Sequence, residues 1–152
     1  MKQSTLKRKK GRSPWNARNK YGARAYVSPI LDRKFDSTGE GKYAEHLYAR
    51  QQNGEIRDLE FQVRWDCAIQ GQRIGKRYMR IDFRYFDVQR GKVIWADFKG
   101  FPAPDWMMKA DIWAVDGPGI LQIVKANRSK AVPYTTTEIH PKLRQETREI
   151  DQ

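Results

Sequence analysis

Residues 93–101 read VIWADFKGF, an apolar and aromatic stretch whose charged side chains are Asp97 and Lys99. Two apart on a strand, they point to one face, so a carboxylate and an ammonium stand side by side. Upstream, YMRIDFRYFDV (78–88) carries Asp82, and QRG (89–91) between the segments is a hairpin signature. A two-residue turn centred on Gln89–Arg90 sets Asp82 opposite Asp97. One centred on Arg90–Gly91 sets Asp82 opposite Lys99 and Arg84 opposite Asp97. Either register keeps Asp82 on the face of Asp97 and Lys99, whereas a three-residue loop breaks the arrangement unless a bulge restores it. One ammonium neutralises one carboxylate, so the second leaves surplus negative charge that calls for a cation. Aspartate oxygens are hard ligands suited to Mg²⁺ or Mn²⁺. An ion held there would lower the pKa of a bound water and stabilise charge developing on a phosphodiester. Lys99 would orient or deprotonate the attacking water, or stabilise the transition-state oxyanion. An ordinary structural ion-pair cluster fits the same spacing, and spacing alone leaves both readings open.

These groups must be positioned by a sheet and its helices. Ser37 and Glu40 have capping-box spacing and Gly54 supplies a stop, predicting a helix from about Thr38 to Asn53. Its stripe is Leu47, Tyr48 and Tyr43 or Ala44, while Gly39 and Gly41 weaken its first turn. EIRDLEFQVRWDCAI (55–69) alternates as a strand, with Leu59 in phase only after a slip. QGQRIGKR (70–77) reads as a turn. Strands over YMRIDFRYFDV and KVIWADFK follow, and FPAPDW starts a second helix with Pro104 near its first turn. GPG (117–119) stops it, and ILQIV (120–124) reads as a buried final strand. The remainder is a polar tail with one weak helix after Pro141. The order is helix, three strands, helix, strand: an α/β sandwich with a mixed sheet flanked by helices. Trp106, Trp113 and Cys67 read as core, and His46 and His140 as surface.

Composition narrows the partners. The chain has 152 residues, enough for one domain plus tails, with 39% hydrophobic residues and five Trp to build a core. No apolar run approaches the roughly 20 residues that span a bilayer, and the basic N-terminus precedes no apolar segment of a secretory signal. One Cys and two His cannot build a structural zinc site or an internal disulfide, which fits a reducing, cytosolic setting. The net charge is +12, and no acidic residue precedes Asp32, while the first 24 residues hold nine Lys and Arg. Such an arm, residues 1–24, predicts disorder until it meets a polyanion, for which nucleic acid is the usual candidate. Lys20 and Arg24 close the arm. Lys109 on the second helix and Asn127, Arg128 and Lys130 in NRSK (127–130) are further phosphate-contact candidates, although a solvated lysine explains Lys109 as well.

The order of these motifs resembles the PD-(D/E)xK nuclease superfamily: an acidic residue heading a helix, Asp in IDF, then ADFKG on the next strand. More narrowly, KYGAR (20–24), FDSTGE (35–40), DFKG (97–100) and NRSK resemble the phage endonuclease I family of Holliday junction-resolving enzymes. A related set of phage proteins within the superfamily shares FDS..E, GEIRDLEFQ and DFKG still more closely. The likeness covers roughly residues 20–130. It implies a restriction-endonuclease-like core over 25–127, with 128–152 as a polar C-terminal tail. It also implies catalytic roles for Glu40, Asp82, Asp97 and Lys99, with Asp82, Asp97 and Glu40 toward Mg²⁺ or Mn²⁺. The implied function is a metal-dependent endonuclease selective for branched DNA, acting as a homodimer in a host cytoplasm. Ile81 stands where the motif has its nominal proline. Glu40 has a competing duty, since a Glu at the third helical position completes a cap without any chemistry. A non-catalytic basic nucleic-acid-binding protein on a nuclease-like fold is the rival expectation. Removing residues 1–18 is expected to flatten the salt dependence of DNA binding, by up to ~0.9 in log–log slope for each phosphate no longer neutralised. An unchanged slope would exclude the arm as a DNA contact.

Overall fold

Ser37 opens the first helix as its spacing from Glu40 predicts: the Glu40 backbone N–H donates to Ser37 Oγ at 3.1 Å. The computed structural model describes residues 23–99 and 104–142, and the chain divides into two units, Met1–Lys42 and Tyr43–Gln152. In the first unit, β1 (Tyr26–Ser28) and β2 (Arg33–Phe35) pair as an antiparallel hairpin that the sequence expectation lacked. Helix α1 (Thr38–Gln52) begins in this unit. Its Gly41, unfavourable in an isolated helix, is required by space: a Cβ there would stand 2.2 Å from Tyr26 Cδ1 and 3.2 Å from Phe35 Cδ2. At the other end Glu55 N–H donates to the Arg50 carbonyl and Gly54 N–H to that of Gln51. With Gly54 at φ +76° this is a Schellman close.

The second unit holds a five-stranded sheet in the order β3-β4-β5-β6-β7. β3 (Ile56–Ile69), β4 (Gln72–Asp87) and β5 (Lys92–Phe98) form an antiparallel meander. Helix α2 (Pro104–Asp116) then crosses over, so that β6 (Ile120–Ala126) runs parallel to β5. β7 (Tyr134–Ile139) returns antiparallel at the edge. The architecture is α/β, with a mixed sheet and two helices.

Three sequence expectations change. The turn read over residues 70–77 is only Gln70–Gly71, both at positive φ as a two-residue type I′ turn requires. Gly75 lies inside β4 at φ +55°. The slip before Leu59 is a bulge, with a register shift between Arg57 and Glu60 and Asp58 at φ +56°. The tail read as polar supplies β7, whose alternation is hidden because Thr135, Thr136 and Thr137 are exposed on an edge strand. Nearly all of the weak helix expected after Pro141 lies outside the described residues.

Aromatic rings fill the core in two clusters. Tyr43 on α1 packs edge-on against Phe83 (5.4 Å) and Tyr134 (4.9 Å). Trp113 on α2 packs edge-on against Trp65 (4.6 Å) and Trp95 (5.3 Å), beside buried Cys67, Met79 and Leu121. The Trp113 indole N–H donates to the Gly119 carbonyl at 2.8 Å, which gives the GPG stop its packing role.

β7 is fastened through Glu138. Its carboxylate takes both ends of the Arg90 guanidinium and accepts from Gln122 Nε2 at 2.9 Å, with His140 Nε2 also 2.9 Å away. His140 is thus a partner in this cluster as well as a surface residue. Arg90's hydrogen bonds above all hold the Glu138 carboxyl down to about 2 from an ordinary 4.5. A depressed acid stabilises the fold fully above its unfolded value and loses that contribution as pH falls from about 4.5 to about 2. Glu138→Gln is therefore expected to cost roughly 1–2 kcal/mol at neutral pH. The wild-type advantage should shrink through that acid window in denaturant titrations; a pH-independent difference would refute the ion-pair account.

Candidate active site

The pairing of β4 with β5 decides between the two registers. Phe83 faces Ala96 and Arg84 faces Trp95, which is the frame centred on Gln89–Arg90 and carries Asp82 opposite Asp97. The frame placing Arg84 opposite Asp97 is excluded; Arg84 instead lies over the Trp95 ring at 5.0 Å and pairs with Glu60. Regular pairing stops at Phe83, and the Phe98 N–H, next in line on β5, donates to the Asp82 side chain at 2.9 Å. A carboxylate has replaced a backbone carbonyl as acceptor, so the strands part at Asp82. Meanwhile β5 stays bonded to β6 through Phe98, and Lys99 N–H donates to the Val124 carbonyl at 2.9 Å.

Asp97 is fully buried. Lys99 Nζ lies 2.8 Å from its Oδ2, yet neither carboxylate oxygen has a well-aligned hydrogen-bond donor. The contact is close in distance but misaligned. Burial pushes the Asp97 carboxyl up from the usual range, and Lys99 followed by Asp82 pulls it only partly back. The Lys99 ammonium, a quarter exposed, sits over the Trp106 ring at 5.4 Å. The Trp106 indole N–H is itself buried without an acceptor. Trp106 and Trp113 are thus packed as expected, and Trp106 also walls the lysine.

The sequence expectation missed Gln62. Its side-chain amide donates to Asp82 Oδ1 at 3.1 Å, and its backbone is held at φ +54° in the middle of β3. A left-handed conformation costs a non-glycine residue about 1–2 kcal/mol; such strain gathers where the surroundings fix a functional group. Phe61 pairs with Phe83 and Val63 with Ile81, so the register of the long hairpin, which places Gln62 across from Asp82, is the signal that would have found it.

The structure brings Asp82, Asp97 and Lys99 together and describes the other predicted residues separately. Glu40 is buried at the third position of α1, in the first unit, with its backbone N–H on the Ser37 cap. Arg24, also in the first unit, is exposed, and Lys20 lies outside the described residues. Lys109 pairs with Asp105 one turn earlier at 3.7 Å and lies over Tyr78 at 5.9 Å. Asn127, Arg128 and Lys130 are exposed between β6 and β7. That loop leaves the sheet at the carboxyl ends of the parallel pair β5 and β6, the end at which Lys99 stands. Buried Cys67 is core as expected.

Among the described residues no three His, Cys, Asp or Glu side chains form a metal-holding group. The fit of a divalent ion is tested by Asp97 itself. A buried carboxylate whose oxygens lack aligned donors, beside a second carboxylate, is a hard-oxygen set that can take a divalent ion. Two such residues suit an ion whose remaining positions are filled by water and substrate oxygen.

A family profile described as "Protein of unknown function (DUF1064)" matches residues 18–131. The chain belongs to the DUF1064 family. No curated protein and no solved structure matches it. The DUF1064 match contains Gln62, Asp82, Asp97, Lys99, Asn127, Arg128 and Lys130, and ends before β7.

Asp97→Asn removes a desolvated charge while keeping the shape. Because burial outweighs what Lys99 restores, this variant is expected to be more stable than wild type in EDTA, by on the order of 1 kcal/mol. Millimolar Mg²⁺ should raise the wild-type melting temperature and leave the variant's unchanged. A less stable variant would mean that the ion pair, and not a ligand set, is what Asp97 serves.

Proposed function

We propose that this chain is a divalent-metal-dependent DNA endonuclease in which Asp82 and Asp97 hold the ion and Lys99 stands beside the reacting phosphate. The observation that carries the reading is the buried Asp97, its oxygens lacking aligned donors, next to a second carboxylate where β4 and β5 separate. An ion pair between Asp97 and Lys99 is complete without a second carboxylate, and the strand-end cap that Asp82 makes to the Phe98 N–H does not require its charge. Support also comes from the element order helix, three antiparallel strands, helix, parallel strand, which is that of the restriction-endonuclease-like core. The resemblance to the PD-(D/E)xK superfamily, and within it to phage endonuclease I, places acid, acid and lysine at these positions.

When bound, Mg²⁺ or Mn²⁺ supplies Lewis-acid stabilisation of the phosphodiester and lowers the pKa of water. The chain supplies the rest. Asp82 is held at two points, by Gln62 Nε2 and by the Phe98 N–H, so its carboxylate is preorganised. Lys99 is fixed between the Asp97 carboxylate and the Trp106 ring, where it donates to a phosphate oxygen or takes and returns the water's proton. Asn127, Arg128 and Lys130 lie exposed at the same end of the sheet for backbone contacts, which carry no base information. Selection of branched DNA and a homodimeric state enter through the resemblance, as does a role for Glu40.

A non-catalytic DNA-binding protein would share the charge but not need the carboxylates, and one assay separates the two. Purified protein is incubated with plasmid and with a four-way junction, in Mg²⁺ or in EDTA. Cleavage in Mg²⁺ alone is expected, with Asp82→Ala, Asp97→Ala and Lys99→Ala each lowering the rate by roughly 10²–10⁴-fold while junction binding persists. Binding without any Mg²⁺-dependent cleavage would leave the non-catalytic reading, and undiminished cutting by Asp97→Ala would overturn the ligand assignment.

A further inference from the structure

The β3–β4 hairpin is longer than the sheet it belongs to. β4 pairs with β5 only over Phe83–Asp87, whereas β3 and β4 remain paired to the turn at Gln70–Gly71. Residues 64–80 are therefore a two-stranded ribbon running past the five-stranded sheet. One side of it packs on α2: Trp65 meets Trp113, Cys67 is buried, and the Gln70 N–H donates to Asp116 Oδ2 at 2.6 Å. The other side, bearing Arg64, Asp66, Tyr78 and Arg80 as cross-strand partners, is exposed.

That exposed side is basic. Residues 64–80 contain Arg64, Arg73, Lys76, Arg77 and Arg80 against a single acid, Asp66. By alternation Lys76 shares the exposed side with Tyr78 and Arg80, whereas Arg77 falls on the other side with buried Met79. Asp66 answers Arg64 at 2.8 Å and Arg73 at 3.3 Å. Among the described residues Lys76 and Arg80 make no ion pair, and both are exposed. Arg64 and Arg80 stand directly opposite one another, an arrangement that destabilises a sheet. Arg64 also lies over the exposed Tyr78 ring, 4.1 Å from its centroid, and is held there as well by its ion pair with Asp66. A merely solvated surface gains nothing from opposed arginines; a polyanion would bridge them.

We propose that the outward face of this ribbon binds the phosphate backbone of duplex DNA. The proposal rests on the nuclease reading only for the choice of DNA as polyanion. Arg80 is two residues before Asp82 on β4, and Arg64 two after Gln62 on β3, so at about 3.3 Å per residue the basic track starts within one side-chain length of the carboxylates. Duplex lying on the ribbon runs toward the site, and its contact is sequence-independent.

The test is binding of the full chain carrying Asp97→Asn, in EDTA, to a short duplex by fluorescence anisotropy over a salt series. Lys76→Gln and Arg80→Gln together are expected to weaken binding at least tenfold and lower the log–log salt slope by about 2, near 0.9 per phosphate. Lys34→Gln and Lys92→Gln, exposed cations elsewhere that change net charge equally, should leave the slope unaltered. Arg80→Thr alone should bind more weakly yet melt higher, since it relieves the opposed pair. An unaltered slope in the ribbon variant, or an equal weakening in the control, overturns the proposal. So does ribbon-dependent binding to anionic phospholipid vesicles without binding to duplex. Loss of duplex binding in a protein that never cleaves in Mg²⁺ would keep the ribbon and remove the nuclease.

Discussion

Two carboxylates share the corner where β4 leaves β5, and among the described residues one ammonium, that of Lys99, stands with them, 2.8 Å from Asp97 Oδ2. The backbone there is continuous because Asp82 accepts the Phe98 N–H that a strand partner would otherwise take. One side chain thus ends the β4–β5 ladder, caps an otherwise orphaned donor and is aimed at Asp97. The strained turn of β3 at Gln62 sits at the same level and braces Asp82 from the other strand. Divergence of the strands and convergence of the acids are the same structural event.

Most of this corner is legible because it depends on period-2 alternation and a turn centre. Asp97 and Lys99 share a face whatever the tertiary structure, and the two candidate hairpin frames both brought Asp82 to them. Choosing between the frames required the actual loop, Val88–Gly91, in which Asp87 Oδ1 accepts the Arg90 N–H at 3.0 Å; side-chain capping of a turn leaves little trace in hydrophobic pattern. The helices were readable for a related reason: Ser37, Gly54, Pro104 and GPG act locally. What resisted reading was set by contacts distant in sequence. Gly41 looks like a flaw in a helix until Tyr26 and Phe35 fill the space a side chain would need. β7 has no apolar alternation because an edge strand with exposed threonines is held by Glu138 to Arg90 and Gln122.

The placement of charge bears on function more than its total. The first 24 residues hold nine uncompensated cations and residues 64–80 a net excess of four, together more than the chain's whole +12. The rest of the chain is therefore close to neutral, so a uniformly basic, solubilising surface is not what this sequence encodes. Basicity is concentrated in an N-terminal arm, in the ribbon, and at the end of β6 and the loop after it with Lys125, Arg128 and Lys130, and the acids Asp82 and Asp97 lie at the ribbon's root. Self-repulsion within each segment opposes folding, and the opposed Arg64 and Arg80 place part of it inside a strand pair. Such an arrangement is stable chiefly because α2 buries the ribbon's other face through Trp65, Cys67 and Met79. The same helix supplies Trp106 to Lys99. α2 therefore has two duties, offsetting the ribbon's repulsion with apolar burial and walling the lysine, and a change in its aromatic residues would disturb the charged surface and the carboxylate corner at once.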